Sequence, residues 1–177
     1  MGKMGKITAR EVALCGVMIA VIEVCKGVMA GIPNIELTSF WIIMFTTFYG
    51  KLMWFVIPAF VLIEAFLYGI NIWVVSYIYV WPILAVLTWF VKKHASAVNY
   101  SLLSGGYGLV FGFLSVLPTI VIGTSEGGIM NGLRVAFTWW VAGIPWDVVH
   151  CIGNFVLMLV LYKPVYSVLM RVKEDLR

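Results

Sequence analysis

Three polar residues near the end of the chain have the spacing of neighbours on one helical face. Asp147, His150 and Asn154 stand at i, i+3 and i+7, which places their side chains on successive turns of a helix. A carboxylate beside an imidazole can bind a polar ligand, act as an acid–base pair, or hydrogen-bond to another helix. A metal site has little support, because no second pair of ligand residues has a suitable spacing. We therefore expect either a ligand-binding row or interhelical hydrogen bonds.

Aromatic residues recur at helical spacing in the middle of the chain. Trp73, Tyr77 and Trp81 are four residues apart, so they share a face. Such rings can anchor a helix at the membrane surface, or they can stack on a planar ligand at a cavity wall. Trp139, beside Arg134, also has two interpretations: it is either part of a lid or a membrane anchor.

The composition determines where these residues must lie. Of the 177 residues, 63% are apolar and only 11% are charged, whereas soluble domains are about 25% charged. The mean hydropathy is +1.03. At about 20 residues per crossing, the chain allows six membrane spans and leaves no room for a soluble catalytic domain. The net charge of +4 requires no nucleic acid, and three cysteines in apolar segments predict no disulfide framework.

Turn signals divide the chain into six helices of an all-α integral membrane protein. Thr8 and Glu11 have the spacing of a capping box. Because Glu23 and Lys26 interrupt the first apolar run, we expect a retained helix rather than a cleaved signal peptide. The predicted transmembrane helices cover residues 9–30, 36–49, 52–68, 72–91, 98–122 and 144–163.

The segment before the sixth helix has two interpretations. A single helix from Asn131 would be too long for one crossing and would bury Asp147 and His150 at mid-bilayer. Gly143-Ile144-Pro145 instead predicts a break, with proline in the first turn of the next helix. We therefore expect a re-entrant or interfacial segment over residues 128–142.

The basic residues predict the orientation. With both termini in the cytoplasm, ten of the twelve lie at inner ends, as the positive-inside rule requires. These ten are Lys3, Lys6, Arg10, Lys51, Lys92, Lys93, Lys163, Arg171, Lys173 and Arg177.

The remaining ionisable residues then fall in the outer half. They are Glu23, Lys26, Glu36, Glu64, Arg134, Asp147 and His150. Because each costs about 2.5–3.5 kcal/mol at membrane depth unless it is solvated or paired, they predict a polar pocket open to the outside. Glu64 has no partner on its own helix, so Lys26, Arg134 or a substrate must pair with it. Alternatively, Glu23 and Lys26 neutralise each other one turn apart.

Small residues line one face of the first helix. Ala9, Ala13, Gly16 and Ala20 are spaced four, three and four residues apart. Such a stripe lets another helix approach closely, either within the bundle or from a second membrane subunit.

Taken together, these features resemble the substrate-binding S-components of energy-coupling factor (ECF) vitamin transporters. The resemblance rests on the small-residue stripe, the chain length, the six predicted helices, and three stretches of sequence. These stretches are Gly31-Ile-Pro-Asn-Ile-Glu-Leu-Thr-Ser39, Gly143-Ile-Pro-Trp-Asp-Val-Val-His-Cys-Ile-Gly-Asn154 and Lys163-Pro164.

The resemblance implies a multi-pass protein of a prokaryotic plasma membrane that captures a vitamin or related heteroaromatic micronutrient. It would dock through Ala9, Ala13, Gly16 and Ala20 onto a transmembrane scaffold that carries two ATPases. Pro33, Asn34, Glu36 and Thr38 would belong to a gating loop. The expected substrate-binding residues are Glu64, Trp73, Tyr77, Trp81, Arg134, Trp139, Asp147, His150 and Asn154.

Two other functions compete with this one. An autonomous carrier or channel is disfavoured by the lack of an internal repeat and by the one-sided distribution of charge. An intramembrane enzyme could use Asp147 and His150, but no nucleophile or metal-ligand set accompanies them. We expect no catalysis and no cofactor in this chain. Because it has no G-x-x-x-x-G-K-[ST] motif, ATP would be hydrolysed by partner subunits.

Overall fold

The computed structural model describes residues 7–175, and all regular structure in that range is helical. The all-α prediction is therefore confirmed. The helices are α1 (Ala9–Met29), α2 (Thr38–Tyr49), α3 (Met53–Tyr68), α4 (Ile72–Val91), α5 (Ala97–Ser115) and α6 (Leu117–Asp175), with a 3₁₀ turn at Lys92–His94. Lys3, Lys6 and Arg177, which contribute to the predicted orientation, lie outside the described residues.

Three helical stretches are long and apolar enough to cross a membrane. They are Ala9–Met29, Ile72–His94 and Ala97–Asp175, and Met53–Tyr68 is a shorter apolar helix. A 30 Å hydrocarbon layer needs about 20 helical residues, so α2, with 12 residues, is too short to cross one without help from its neighbours.

Side-chain caps define where several helices begin. The Glu11 amide donates to Thr8 Oγ1 at 3.2 Å, and the Thr8 amide donates to Glu11 Oε2 at 2.8 Å, which completes the predicted capping box at α1. Asn71 Oδ1 accepts from the Val74 amide at 3.1 Å and caps α4. These local signals explain why α1 and α4 begin at their predicted residues, and all of the first four helices begin and end within two residues of their predicted bounds.

The short helix α2 is the centre of the bundle and packs against each of the other five helices. Nine of its twelve residues are buried. These are Thr38, Ser39, Phe40, Ile42, Ile43, Met44, Phe45, Thr46 and Phe48. In an apolar bilayer, the close van der Waals packing of these side chains against the longer helices, rather than their removal from water, is what stabilises such a core.

The fifth predicted helix, 98–122, is wrong in its C-terminal third. Helix α5 ends at Ser115, and a new helix begins at Leu117. Proline has no amide hydrogen to continue the helical ladder, so Pro118 is accommodated in the first turn of α6 instead. A second break, at Gly127 and Gly128, divides α6 into residues 117–126 and 129–175; Gly128 takes a φ of 80°, which favours glycine.

The break predicted at Gly143-Ile144-Pro145 does not occur. Residues 129–175 form one helix of roughly 70 Å at 1.5 Å per residue, and it continues through Pro145 and Pro164. The expected segment 128–142 and helix 144–163 are therefore parts of the same helix. Pro145 removes a helical hydrogen bond and crowds the preceding turn, but α6 packs closely on α5 at this point. An added Cβ at Gly108 would lie only 3.0 Å from backbone atoms of His150 and Cys151. This close packing against α5 holds α6 in place just beyond Pro145.

Candidate functional site

A cavity of about 350 Å³ lies where α1 ends and α2 and α4 begin. We call it the aromatic cavity. Its lining residues are Lys26, Met29, Ala30, Ile32, Pro33, Asn34, Ile35, Glu36, Thr38, Tyr68, Trp73, Tyr77, Trp81, Phe111 and His150.

Most of the residues predicted to gate or bind a substrate meet at this cavity. The four loop residues Pro33, Asn34, Glu36 and Thr38 line it, as do Trp73, Tyr77, Trp81 and His150. Glu64 reaches it indirectly, through Lys26. Arg134, Trp139, Asp147 and Asn154 are not among the lining residues. Substrate binding by any of these residues stays a prediction.

Glu36 joins the loop, α2 and α6 at one side of the aromatic cavity. Its carboxylate accepts from the Ser39 amide at 3.1 Å, from Ser39 Oγ at 2.6 Å and from the Thr38 amide. His150 Nε2 lies 3.2 Å from Glu36 Oε1. Burial by itself would raise the pKa of Glu36, but the hydrogen bonds and charge of His150, with those of Ser39 and Thr38, outweigh burial and lower the pKa to about 2. An ionised carboxylate therefore caps α2, where the helix dipole favours negative charge.

Lys26 and Glu64 form an ion pair between α1 and α3. The Glu64 side chain is 0% exposed and that of Lys26 is 22% exposed. Of the partners expected for Glu64, Lys26 is therefore the one that it contacts. Removing Lys26 would leave the Glu64 carboxylate buried without a cation, which is strongly destabilising.

Aromatic rings surround the same ammonium group. Lys26 Nζ lies 4.8 Å from the ring centroids of Tyr68 and Trp73 and 5.6 Å from that of Tyr77. These distances are in the range of cation–π attraction. The rings of Trp73, Tyr77 and Trp81 continue as edge-to-face pairs with centroid separations of 5.3 and 5.0 Å. The four-residue spacing therefore places a continuous aromatic wall along the cavity.

Several buried polar atoms around the aromatic cavity have no hydrogen-bond partner among the described residues. They include Glu23 Oε1, Glu64 Oε1 and Trp81 Nε1. Buried polar atoms are usually paired, so these mark where an additional polar group would bind most favourably.

Asp147 lies against α5 and not in the aromatic cavity. Its Oδ1 accepts from the Gly112 amide at 2.9 Å. Asn154, two turns further along the same face of α6, is also buried. Neither its side-chain nitrogen nor its side-chain oxygen has a hydrogen-bond partner within residues 7–175. Of the row predicted from spacing, only His150 therefore lines the cavity.

Arg134 and Trp139 are exposed on the early part of α6, and Trp139 is 61% exposed. The neighbouring Trp140 packs on Phe113 of α5, with ring centroids 5.4 Å apart. This part of α6 pairs with residues 117–126, where the Gly123 carbonyl accepts from Asn131 Nδ2 at 2.9 Å. The two predicted residues thus belong to a helical hairpin and not to the cavity wall.

The small-residue stripe of α1 is exposed along its whole length. Ala9, Ala13, Gly16 and Ala20 are all exposed, and no atom would lie within 4 Å of a Cβ added at Gly16. The stripe therefore takes no part in packing within the bundle, which was one of its two interpretations.

A second cavity, of about 330 Å³, lies at the opposite end of the bundle, where α1 begins and α6 ends. We call it the basic groove. It is lined by Arg10, Glu11, Leu14, Phe48, Tyr49, Gly50, Lys51, Leu52 and Lys173. Three of these residues are basic, but none forms a buried ion pair within the described chain.

Sequence reasoning missed two aromatic residues of the cavity. Tyr68 directly precedes the Gly69–Asn71 turn, so its position beside the start of α4 could have been inferred. Phe111 carries no such signal, yet its ring packs edge-on to His150 with centroids 4.8 Å apart.

A scan of protein-family models and searches of curated proteins and of solved structures found no match to this chain.

Proposed function

We propose that this chain is the substrate-capturing membrane subunit of an ECF-type importer. In this proposal, six helices cross a prokaryotic plasma membrane with both termini in the cytoplasm. The chain binds a vitamin or related small heteroaromatic micronutrient at its outer side. It delivers the substrate inward when coupled to a transmembrane scaffold and two ATPases, with no catalysis of its own.

The observation that carries the proposal is the arrangement of two different surfaces along α1. Lys26, in the last turn, lines the aromatic cavity, whereas the exposed stripe of small residues begins at Ala9 in the first turn. Ala9 and Lys26 are roughly 25 Å apart along the helix, and Ala20, at the near end of the stripe, is roughly 9 Å from Lys26. A subunit that captures a solute at one membrane face and docks through a helix needs both surfaces, and it needs them separated.

The cavity chemistry supports a heteroaromatic substrate. Flat rings of Trp73, Tyr77 and Trp81 form one wall, and the polar groups of Glu36 and His150 stand at another. A planar ring with polar substituents matches both walls, because aromatic faces stack and the polar groups fix orientation.

The competing functions receive less support from this geometry. An acid–base enzyme would need Asp147 and His150 to reach one substrate, but Asp147 bonds to Gly112. An autonomous carrier would need a path through the bundle, whose centre at α2 is filled by buried apolar side chains such as Met44 and Phe45.

Co-purification tests the proposal. We expect the wild-type chain to recover a scaffold protein with ATPases from its native membrane. The double variant Ala9→Trp/Ala13→Trp should lose this assembly but still bind substrate, because bulk on the stripe blocks helix approach far from the cavity. Leu62→Trp is the matched control, since Leu62 is 70% exposed on α3. Normal assembly of the double variant, or recovery of no scaffold by the wild type, would contradict the proposal.

Mass spectrometry of the denatured, purified chain tests the substrate class. We expect a small heteroaromatic compound released from the wild type and depleted in a Trp81→Leu variant. A purely aliphatic compound, retained equally by both proteins, would show that the aromatic wall is not the binding surface.

A further inference from the structure

The Lys26 ammonium occupies a site built for a cation. Tyr68, Trp73 and Tyr77 present their rings within 4.8–5.6 Å of it, and Glu64 supplies a carboxylate beneath. Aromatic cages closed by an acidic residue are how proteins recognise organic ammonium groups. Here the group in the cage belongs to the chain itself.

The cage contains two carboxyl groups and only one ammonium group. The Glu23 carboxyl group is a neighbour of Glu64, and each has one buried oxygen with no hydrogen-bond partner within residues 7–175. Glu64 is fully buried. Among the described residues, the other ionisable pair at the aromatic cavity is Glu36 with His150, and with Glu36 ionised this pair adds no net positive charge.

This balance selects the sign of a ligand. An anion that paired with Lys26 would have to face the Glu64 carboxylate, the neighbouring Glu23 carboxyl group and the negative faces of three rings. A cation that replaced Lys26 would gain all of these contacts. We infer that the Tyr68, Trp73, Tyr77 and Glu64 cage receives a cationic nitrogen of the substrate, and that Lys26 holds the site until the substrate displaces it. This inference rests on the proposed function and narrows its substrate to an organic cation.

Lys26 is placed so that it can leave. Its side chain is 22% exposed, in contrast to the enclosed Glu64, and its flexible stem lets the ammonium move toward solvent. It stands in the last turn of α1, where the helix dipole and free carbonyls stabilise a cation. When the substrate displaces it, the Lys26 ammonium therefore moves from the cage to the C-terminal end of α1, which also stabilises a positive charge. In the wild type, the ammonium competes with the substrate for the cage.

Three pyridine probes that differ in charge test the inference on the full chain in detergent. They are 1-methylnicotinamide, a cation, nicotinamide, which is neutral, and nicotinate, an anion. We expect Lys26→Met, which keeps an apolar stem but removes the competing charge, to bind 1-methylnicotinamide at least about tenfold more tightly than wild type. Its affinity for nicotinamide should be unchanged in calorimetric titration.

A second variant keeps the test decisive if Lys26→Met folds poorly. Glu64→Gln should remove the preference of the wild type for 1-methylnicotinamide over nicotinamide, because the cage loses its carboxylate. Lys92→Met is the matched control, since Lys92 Nζ lies 5.0 Å from the Trp89 ring on an exposed surface, and it should bind all three probes as wild type does.

Two outcomes would overturn the inference. One is a wild-type preference for nicotinate that Lys26→Met abolishes, which would make Lys26 an anion receptor. The other is no binding of 1-methylnicotinamide to Lys26→Met or wild type at up to about 10 mM, where even a weak site fills. Either result leaves the co-purification test untouched, so failure of the cation site and failure of the proposed function are distinguishable.

Discussion

The aromatic cavity and the basic groove have similar volumes, about 350 and 330 Å³, but they handle charge in opposite ways. In the cavity, Glu36 and Glu64 are largely enclosed and each contacts a basic side chain. In the groove, Arg10 and Lys51 are exposed. Breaking a buried pair costs about 3–5 kcal/mol, whereas an exposed pair contributes at most about 1 kcal/mol.

This difference indicates what each end of the bundle does. Burying a charge costs desolvation free energy, so a buried charge needs a partner of opposite sign at a defined position. Exposed cations at the opposite end suit a solvated edge or a lipid headgroup layer, as the positive-inside rule describes. Substitutions at the two ends should therefore differ in magnitude, and that difference can be measured.

The largest expected effect is at Glu36. Glu36→Ala removes the cap of α2 and leaves His150 without its partner, so we expect the free energy of unfolding to fall by about 3–5 kcal/mol. Glu11 is the matched carboxylate at the groove, since it also accepts a backbone amide at a helix start. Thermal unfolding in detergent should show a clearly smaller loss for Glu11→Ala. Equal losses would remove the distinction between the two ends.

Acid should reproduce part of this effect without a mutation. The pKa of Glu36 is lowered from 4.5 to about 2 in the folded chain, so its contribution is fully present above pH 4.5. That contribution is lost as the pH falls from 4.5 toward 2, by up to about 3 kcal/mol. We expect Glu36→Gln to show a flatter decline in stability than wild type over this range. Parallel pH profiles for the two proteins would contradict the assignment.

The contact between Asp147 and Gly112 provides the next largest expected effect. A Cβ on Gly112 would collide with the Asp147 carboxylate, so Gly112→Ala should destabilise the chain by about 2 kcal/mol. Gly106→Ala is the control on the same helix, because nothing lies within 4 Å of its Cβ, and it should be neutral or slightly stabilising. In an Asp147→Ala background the cost of Gly112→Ala should largely disappear. Persistence of the full cost would mean that the backbone, not the carboxylate, is the obstacle.

Substitutions of His150 and Asp147 should have different effects on the affinity for substrate. His150 lines the aromatic cavity and Asp147 does not, so His150→Ala should weaken substrate binding by more than about tenfold, or 1.4 kcal/mol. Asp147→Asn should lower the melting temperature and leave the affinity of the folded fraction unchanged. A tenfold loss of affinity in Asp147→Asn would restore both residues to the binding site.

How much of this could be predicted from the sequence depends on the range of each interaction. The starts of α1 and α4 follow from local signals, namely the Thr8–Glu11 capping box and the Asn71 cap. The face shared by Trp73, Tyr77 and Trp81 follows from helical periodicity. These features involve residues only a few positions apart.

The failures involve contacts between distant parts of the chain. Gly143-Ile144-Pro145 carries the local signal of a helix break, but α6 continues because it packs closely along α5. Spacing alone placed Asp147 and His150 on one face, and it could not show that α5 would bond to one and the α1–α2 loop to the other. Likewise, Glu64 pairs with Lys26 and not with Arg134 because α1 packs beside α3, which local sequence patterns do not show.

The smallest expected effect is at Lys173 in the basic groove. Its Nζ lies 5.7 Å from the Phe48 ring, the same type of interaction that Lys26 makes in the aromatic cavity, but here no buried carboxylate is paired with it. Lys173→Ala should therefore reduce the free energy of unfolding by no more than about 1 kcal/mol. Lys26→Met, in the absence of substrate, should cost more, because it leaves Glu64 buried without its cation. Thermal unfolding of the two variants side by side checks this difference. Equal losses would show that the burial of Glu64 adds nothing to the stability contributed by the lysine–ring contact.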